Sequence, residues 1–195
     1  MAALKLGLLG SGKGSNFRAI ADAIARGELD AEVRIVISDI EDAGILALAR
    51  ERGIRAEFVH PGKFRTKMEP EREQHLAQLL RDAGTELVVL AGYMRMIKAP
   101  LLEAFPHHII NIHPSLLPAY TGLEAWKQAL DARASRSGCT VHYVDTGMDT
   151  GEIIAQATVP VHTDDTAETL HARIQTAEHK LYPAVIAKLA AQFSR

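Results

Sequence analysis

Sulfur chemistry is nearly missing from this chain: 195 residues carry one cysteine, Cys139. An internal disulfide is therefore excluded, and the composition fits a reducing, cytoplasmic setting. Neither sign of charge dominates. Lys and Arg number 22 against 24 Asp and Glu, a formal net charge of −2. The positive residues are scattered, which argues against a nucleic-acid partner or a membrane surface. Long hydrophobic runs are absent too: LVVLAGYM ends at Arg95, far short of a membrane span. The opening MAALKLGLLGSGKGSN breaks into glycines too early for a secretory signal. The nine histidines form no H-x-x-x-H pair, and no cysteine cluster joins them, so no metal is expected. His107 and His108 read as opposite faces of a strand, and Cys139 as packing. With no linker, repeat or low-complexity tract, residues 1–195 are expected to form a single domain.

What the chain does have is an ordinary globular balance, 47% hydrophobic and 24% charged. Short apolar runs at 4–10, 32–39, 55–60, 86–92 and 107–111 read as strands. Helical stripes lie between them at 15–27, 45–52 and 70–82. Fully apolar strands alternating with helices predict an α/β fold: a Rossmann-like, mostly parallel twisted sheet with helices on both faces. Two further strands are expected within 139–160, then helix from Thr166 to the end. Asp165 and Glu168 form an expected N-cap pair, and Pro183 should kink or restart that helix.

Gly10, Gly92 and Asn111 each close a predicted strand, at the sheet edge where open α/β folds bind ligands. The loop GLLGSGKGSN misses the P-loop pattern because Gly14 replaces its hydroxyl residue. It misses the dinucleotide fingerprint because Ser15 replaces the third glycine. What remains is an anion site at a helix N-terminus, or only a tight turn. In IINIHPSLLP, Asn111 and His113 are delivered to the same edge, and Pro114 restricts the backbone of His113. Read singly, His113 is an interior histidine, Asn111 a turn cap, Asp149 in GMDTG a turn aspartate and Arg95 a snorkelling side chain. Read together, an amide and a histidine can stabilise an oxyanion, and a carboxylate can hold the histidine charged or move protons. No serine or cysteine is paired with them, so direct transfer between two bound substrates fits better than covalent catalysis.

NIHPSLLP (111–118), AGYMRMI (91–97), GSN (14–16) and GCTVHYVDTGMDTG (138–151) together resemble the glycinamide ribonucleotide transformylases, within the folate-dependent formyltransferase superfamily. EHKLYP (178–183) points the same way, and the resemblance spans nearly the whole chain. It implies formyl transfer from 10-formyltetrahydrofolate, as co-substrate, to the amine of glycinamide ribonucleotide in purine synthesis. It further implies that Asn111, His113 and Asp149 are catalytic. Gly14, Ser15 and Asn16 would hold the phosphate, with Lys67 or its neighbour Arg65 as basic ligand, and Gln175 and Glu178 would meet the rest of that substrate. Met94, Arg95, Ile97 and Val144, with Asn111 and Asp149, would line the pterin pocket. The small-molecule substrates are the expected partners, and a homodimer is left open. The chain departs from the family pattern at Lys67, where arginine is frequent, at Glu152, where many have proline, and in TGLEAW around Glu124, where some have histidines. A formyltetrahydrofolate deformylase shares the N-x-H…D core but carries an additional N-terminal regulatory domain, not found in this reading. A non-enzymatic phosphate-binding domain explains the glycine loop and leaves Asn111, His113 and Asp149 without a joint role.

Overall fold

The computed structural model describes residues 3–193, and the expected helix end at 194–195 lies outside them. Seven strands form one sheet in the order β3-β2-β1-β4-β5-β6-β7. They are β1 (Leu4–Leu9), β2 (Ala31–Ser38), β3 (Ala56–Phe58), β4 (Leu87–Leu90), β5 (Ile109–His113), β6 (Arg136–Tyr143) and β7 (Ile153–Pro160). The first five pair in parallel, and β6 and β7 add antiparallel. The helices are α1 (Ser15–Ala25), α2 (Gly44–Glu51), α3 (Pro70–Asp82), α4 (Ala99–Ala104), α5 (Ala125–Asp131) and α6 (Ala167–Phe193). Among the described residues no helix is long and apolar enough to cross a membrane.

The apolar runs make this sheet because alternate residues feed two cores. Leu6, Leu8, Leu87 and Val89 pack with Phe17 and Ile20 of α1 and Tyr182 and Ile186 of α6. Leu9, Val88 and Leu90 pack with Leu76 and Leu80 of α3 and Leu101 of α4. A parallel strand covered on both faces has no position for an exposed polar residue, so its sequence is continuously apolar.

Several expectations are corrected. β5 begins at Ile109 and runs through His113, so Asn111 lies inside the strand. His107 is not in the strand at all; it sits in a left-handed turn at φ 58°. Helices α4 and α5 were not anticipated; six and seven residues are too few for a 3.6-residue period to register. Helix α6 does not restart at Pro183. Losing one amide there is outweighed by Tyr182, Val185 and Ile186, all buried in the core on either side of it. The start of α6 is capped by Thr166, whose hydroxyl accepts from the Thr169 amide at 3.3 Å, and not by Asp165. Asp165 instead accepts two bonds from Arg173, at 2.6 and 2.8 Å, and that guanidinium holds its carboxyl well below the usual range.

The strand order reverses between β1 and β4. Both run parallel, and their carboxyl ends open side by side, where an open α/β sheet leaves a crevice. Tyr182 ties α6 to this place. Its hydroxyl lies 2.9 Å from the Leu90 carbonyl and 3.1 Å from that of Ile110.

Candidate active site

Strand alternation puts Asn111 and His113 on one face of β5, and the antiparallel register sets His142 directly opposite Asn111. The Asn111 amide nitrogen lies 3.2 Å from His142 Nε2. His142 Nδ1 lies 2.8 Å from the Tyr143 carbonyl, which only accepts, so Nδ1 carries the hydrogen. Burial, the largest influence, pushes the His142 pKa down and favours the neutral ring. Nε2 is then a lone pair accepting from Asn111, which fixes the amide with its nitrogen inward and one N–H to spare. His142 was missed by the sequence reading. Its signal was there: T-x-H at 140–142 repeats the spacing of N-x-H at 111–113.

His113 differs. Its Nε2 lies 2.8 Å from the Tyr120 carbonyl and its Nδ1 lies 3.4 Å from Asp149 Oδ2. Both nitrogens face oxygen acceptors. Asp149 Oδ2 also accepts from the Gly122 amide at 2.9 Å. Its Oδ1 lies 3.8 Å from His142 Nε2 and accepts no hydrogen bond among the described residues.

The segment after His113 is held at both ends. Thr140 donates to the Ser115 carbonyl at 2.7 Å and accepts from the Leu117 amide at 3.0 Å. Ser115 donates to the Ala119 carbonyl at 2.6 Å. Beyond it Tyr120 (φ 56°), Gly122 (φ 79°) and Glu124 (φ 51°) are left-handed, as is Asp149 (φ 56°) across the cleft. Left-handed backbone at non-glycine residues costs free energy and concentrates at functional sites. Here it aims the Tyr120 carbonyl and the Gly122 amide at His113 and Asp149.

On the other side of the crevice, Gly14 caps α1 at φ 79°, and a side chain there would meet Ile45 within 3.0 Å. First-turn amides of α1 have no acceptor within the helix, so the loop can present N–H groups to an anion. Asn16 contributes its side chain elsewhere, donating to Glu178 Oε2 at 2.9 Å, while Asn16 Oδ1 is buried and unpartnered. Burial raises the Glu178 pKa to about 7, against the smaller opposing pull of Asn16. Gln175, half-buried, stands one turn earlier on α6. Lys13, Arg18, Arg26 and His179 border an adjacent open groove of about 460 Å³.

Of the remaining expected site residues, Met94, Arg95 and Ile97 follow β4, and Val144, which follows β6, packs against the same core as Ile97. Met94 is exposed, Ile97 is buried in the core and Val144 is half-buried. Arg95 neither snorkels nor keeps a free guanidinium: it bonds Asp39 at 2.5 Å and the carbonyls of Phe64 and Arg65 at 2.9 and 3.0 Å. Lys67 bridges to Met96 in this same segment, and its ammonium lies 4.8 Å above the Phe64 ring. No described contact joins Lys67 to Gly14, Ser15 or Asn16. Among the described residues no three of His, Cys, Asp and Glu are grouped to hold a metal ion.

The formyl transferase family profile matches residues 4–186. The phosphoribosylglycinamide formyltransferase of Bacillus subtilis (strain 168) is 43% identical over 185 residues, 95% of this chain and 94% of that protein. The trifunctional purine biosynthetic protein adenosine-3 of Drosophila pseudoobscura pseudoobscura is 45% identical over 194 residues, 95% of this chain but 14% of that longer protein. Among solved structures, glycinamide ribonucleotide transformylase 1 from Symbiobacterium toebii superposes with a TM-score of 0.93 at 44% identity, covering 98% of this chain and 89% of that one.

Proposed function

This chain belongs to the formyl transferase family, and we propose how its own residues perform the reaction for which its relatives are named. It transfers a formyl group to the amine of phosphoribosylglycinamide, a step of purine biosynthesis. The donor is a formylated folate, which we take to be 10-formyltetrahydrofolate bound against Met94 to Ile97 and Val144. The whole described chain acts as one domain in the cytoplasm, and no step calls for a metal.

The amine lone pair attacks the formyl carbon, and the carbonyl electrons move onto oxygen. The spare Asn111 N–H donates to that oxyanion. The His113 Nε2–H now held by the Tyr120 carbonyl is drawn to it as well, because an anion is the better acceptor. Asp149 Oδ2 keeps the imidazolium charged. Its free Oδ1 takes a proton from the attacking nitrogen, through water, and returns it to the departing folate nitrogen as the C–N bond breaks. The single observation behind this reading is that both nitrogens of His113 face oxygen acceptors.

The test is an incubation with 10-formyltetrahydrofolate, with and without phosphoribosylglycinamide. Tetrahydrofolate should form only when the ribonucleotide is present. Equal turnover without it would establish a hydrolase instead.

A further inference from the structure

Past the ends of β1, β2 and β4 the sheet ladder stops, and one buried carboxylate replaces it. Asp39 directly follows β2 and is 3% exposed. Its Oδ1 accepts from the Ser11 hydroxyl and its Oδ2 from Arg95 Nε, each at 2.5 Å. Ser11 reaches onward: its hydroxyl accepts from the Met94 amide at 3.0 Å, and its own amide donates to the Gly92 carbonyl at 3.0 Å. Arg95 reaches the other way, to the carbonyls of Phe64 and Arg65. The Met96 amide adds a bond to the Thr66 carbonyl at 2.8 Å. Three loops are thus joined: the glycine loop, 92–97, and 64–67.

We infer that Asp39, acting through Ser11 and Arg95, is a positioning residue that sets both halves of the cleft at once, the anion loop and the folate-facing segment. The inference rests on the substrate assignment above. A charge this buried is tolerated because it is paired and hydrogen-bonded on both oxygens. Arg95 spends its bonds on Asp39 and on two carbonyls, so its guanidinium acts through the loops it holds. Loosening Asp39 therefore frees both ligand sites at once, because it holds Ser11, whose hydroxyl also meets the Met94 amide, and Arg95 together.

Asp39→Asn keeps the size and an acceptor for Ser11 but loses the anion facing Arg95. Affinities for phosphoribosylglycinamide alone and for tetrahydrofolate alone are measured by calorimetry. Both should weaken by similar factors, about three- to tenfold, the scale of a modest coupling free energy. The kcat at saturation should stay within about twofold, since the oxyanion donors are on other elements. Leu189→Ala, a core variant far along α6, controls for general destabilisation and should leave both affinities unchanged. Ser11→Ala and Arg95→Lys should each move both ligands, with effects that do not add when combined; they carry the test if Asp39→Asn does not fold. A shift confined to one ligand, or none in folded variants, overturns the inference. Wild-type protein that binds neither ligand would instead overturn the substrate assignment.

Discussion

The crevice has two corners, and they treat their polar atoms in opposite ways. At the β5–β6 corner, Asn111, His113 and His142 all have protein partners, and one carboxylate oxygen of Asp149 accepts from the Gly122 amide and faces His113. At the α1–α6 corner, Asn16 Oδ1 and His179 Nε2 are buried without partners among the described residues, and Glu178 is held by one bond. A buried polar atom left alone costs roughly 1–3 kcal/mol. The first corner is arranged in advance of the chemistry, as electrostatic catalysis requires. The second carries that cost at two sealed atoms, so its polar groups are less tightly fixed than those of the first.

The sharpest way to break this contrast is to strip the arranged corner. Asn111→Ala and His113→Ala should each lower kcat by about 10²-fold or more, the usual loss for one oxyanion donor. Steady-state kinetics would show it, with circular dichroism confirming the fold. Near-normal kcat in a folded variant would remove these side chains from the chemistry.

The other corner should respond in stability. A Glu178 carboxyl that titrates near 7 holds its proton more tightly folded than unfolded. Stability from this group is full below the unfolded pKa and is lost as pH rises toward about 7. Glu178→Gln keeps an acceptor for Asn16 and cannot ionise. It should stabilise the protein at pH 8 by up to about 3 kcal/mol and change little at pH 4. Denaturant melts at both pH values check this. If the carboxylate also meets the ribonucleotide, KM for that substrate rises while KM for the folate does not. An equal stability change at both pH values would mean that Glu178 is already ionised at low pH.

This split also explains how much the sequence could reveal. Strands such as LVVL and IVIS were legible because burial on both faces removes every ambiguity of period. The N-x-H motif was legible because its alternation is local. His142 was not, since its place opposite Asn111 depends on the β5–β6 register, 31 residues away. The Asn16–Glu178 bond spans 162 residues and left no local trace. Arg95 in YMRMI looked like a surface or ligand residue because nothing in that stretch announces Asp39. Contacts made by α/β crossovers are long-range by construction, so the parts of a site are readable before their pairing is.

Lys67 tests where the dividing line between the corners falls. Its bridge to Met96 sets it beside the segment assigned to the folate, while the family resemblance assigned it to the phosphate. Lys67→Ala should raise one KM by about tenfold, the value of a partly exposed charge-assisted contact. On the folate assignment proposed above for the 94–97 segment, the folate is the substrate affected. A rise in KM for the ribonucleotide alone, vanishing with the dephosphorylated riboside, would return Lys67 to the phosphate.

The smallest effect sharpens the contrast most, because it separates the two histidines of the arranged corner. His142→Gln supplies an amide oxygen near the position of Nε2 and should still accept from Asn111. At pH 8, kcat should fall only a few-fold, whereas His142→Ala, which leaves the amide free to turn over, should lose about tenfold, near one hydrogen bond's worth. Acid behaviour distinguishes them further. Burial holds the wild-type His142 below its ordinary pKa, opposed by the Tyr143 carbonyl and by Asp149 and Asp145, and reinforced by His113. As pH falls through that depressed value, Nε2 gains a proton and turns from acceptor to donor. It then opposes the Asn111 N–H and is drawn to Asp149 Oδ1, 3.8 Å away. The wild-type pH–kcat profile should therefore carry an acid-side inflection that His142→Gln lacks. An identical acid limb in both proteins would show that His142 does not orient the amide, and that the corner depends on His113 and Asp149 alone.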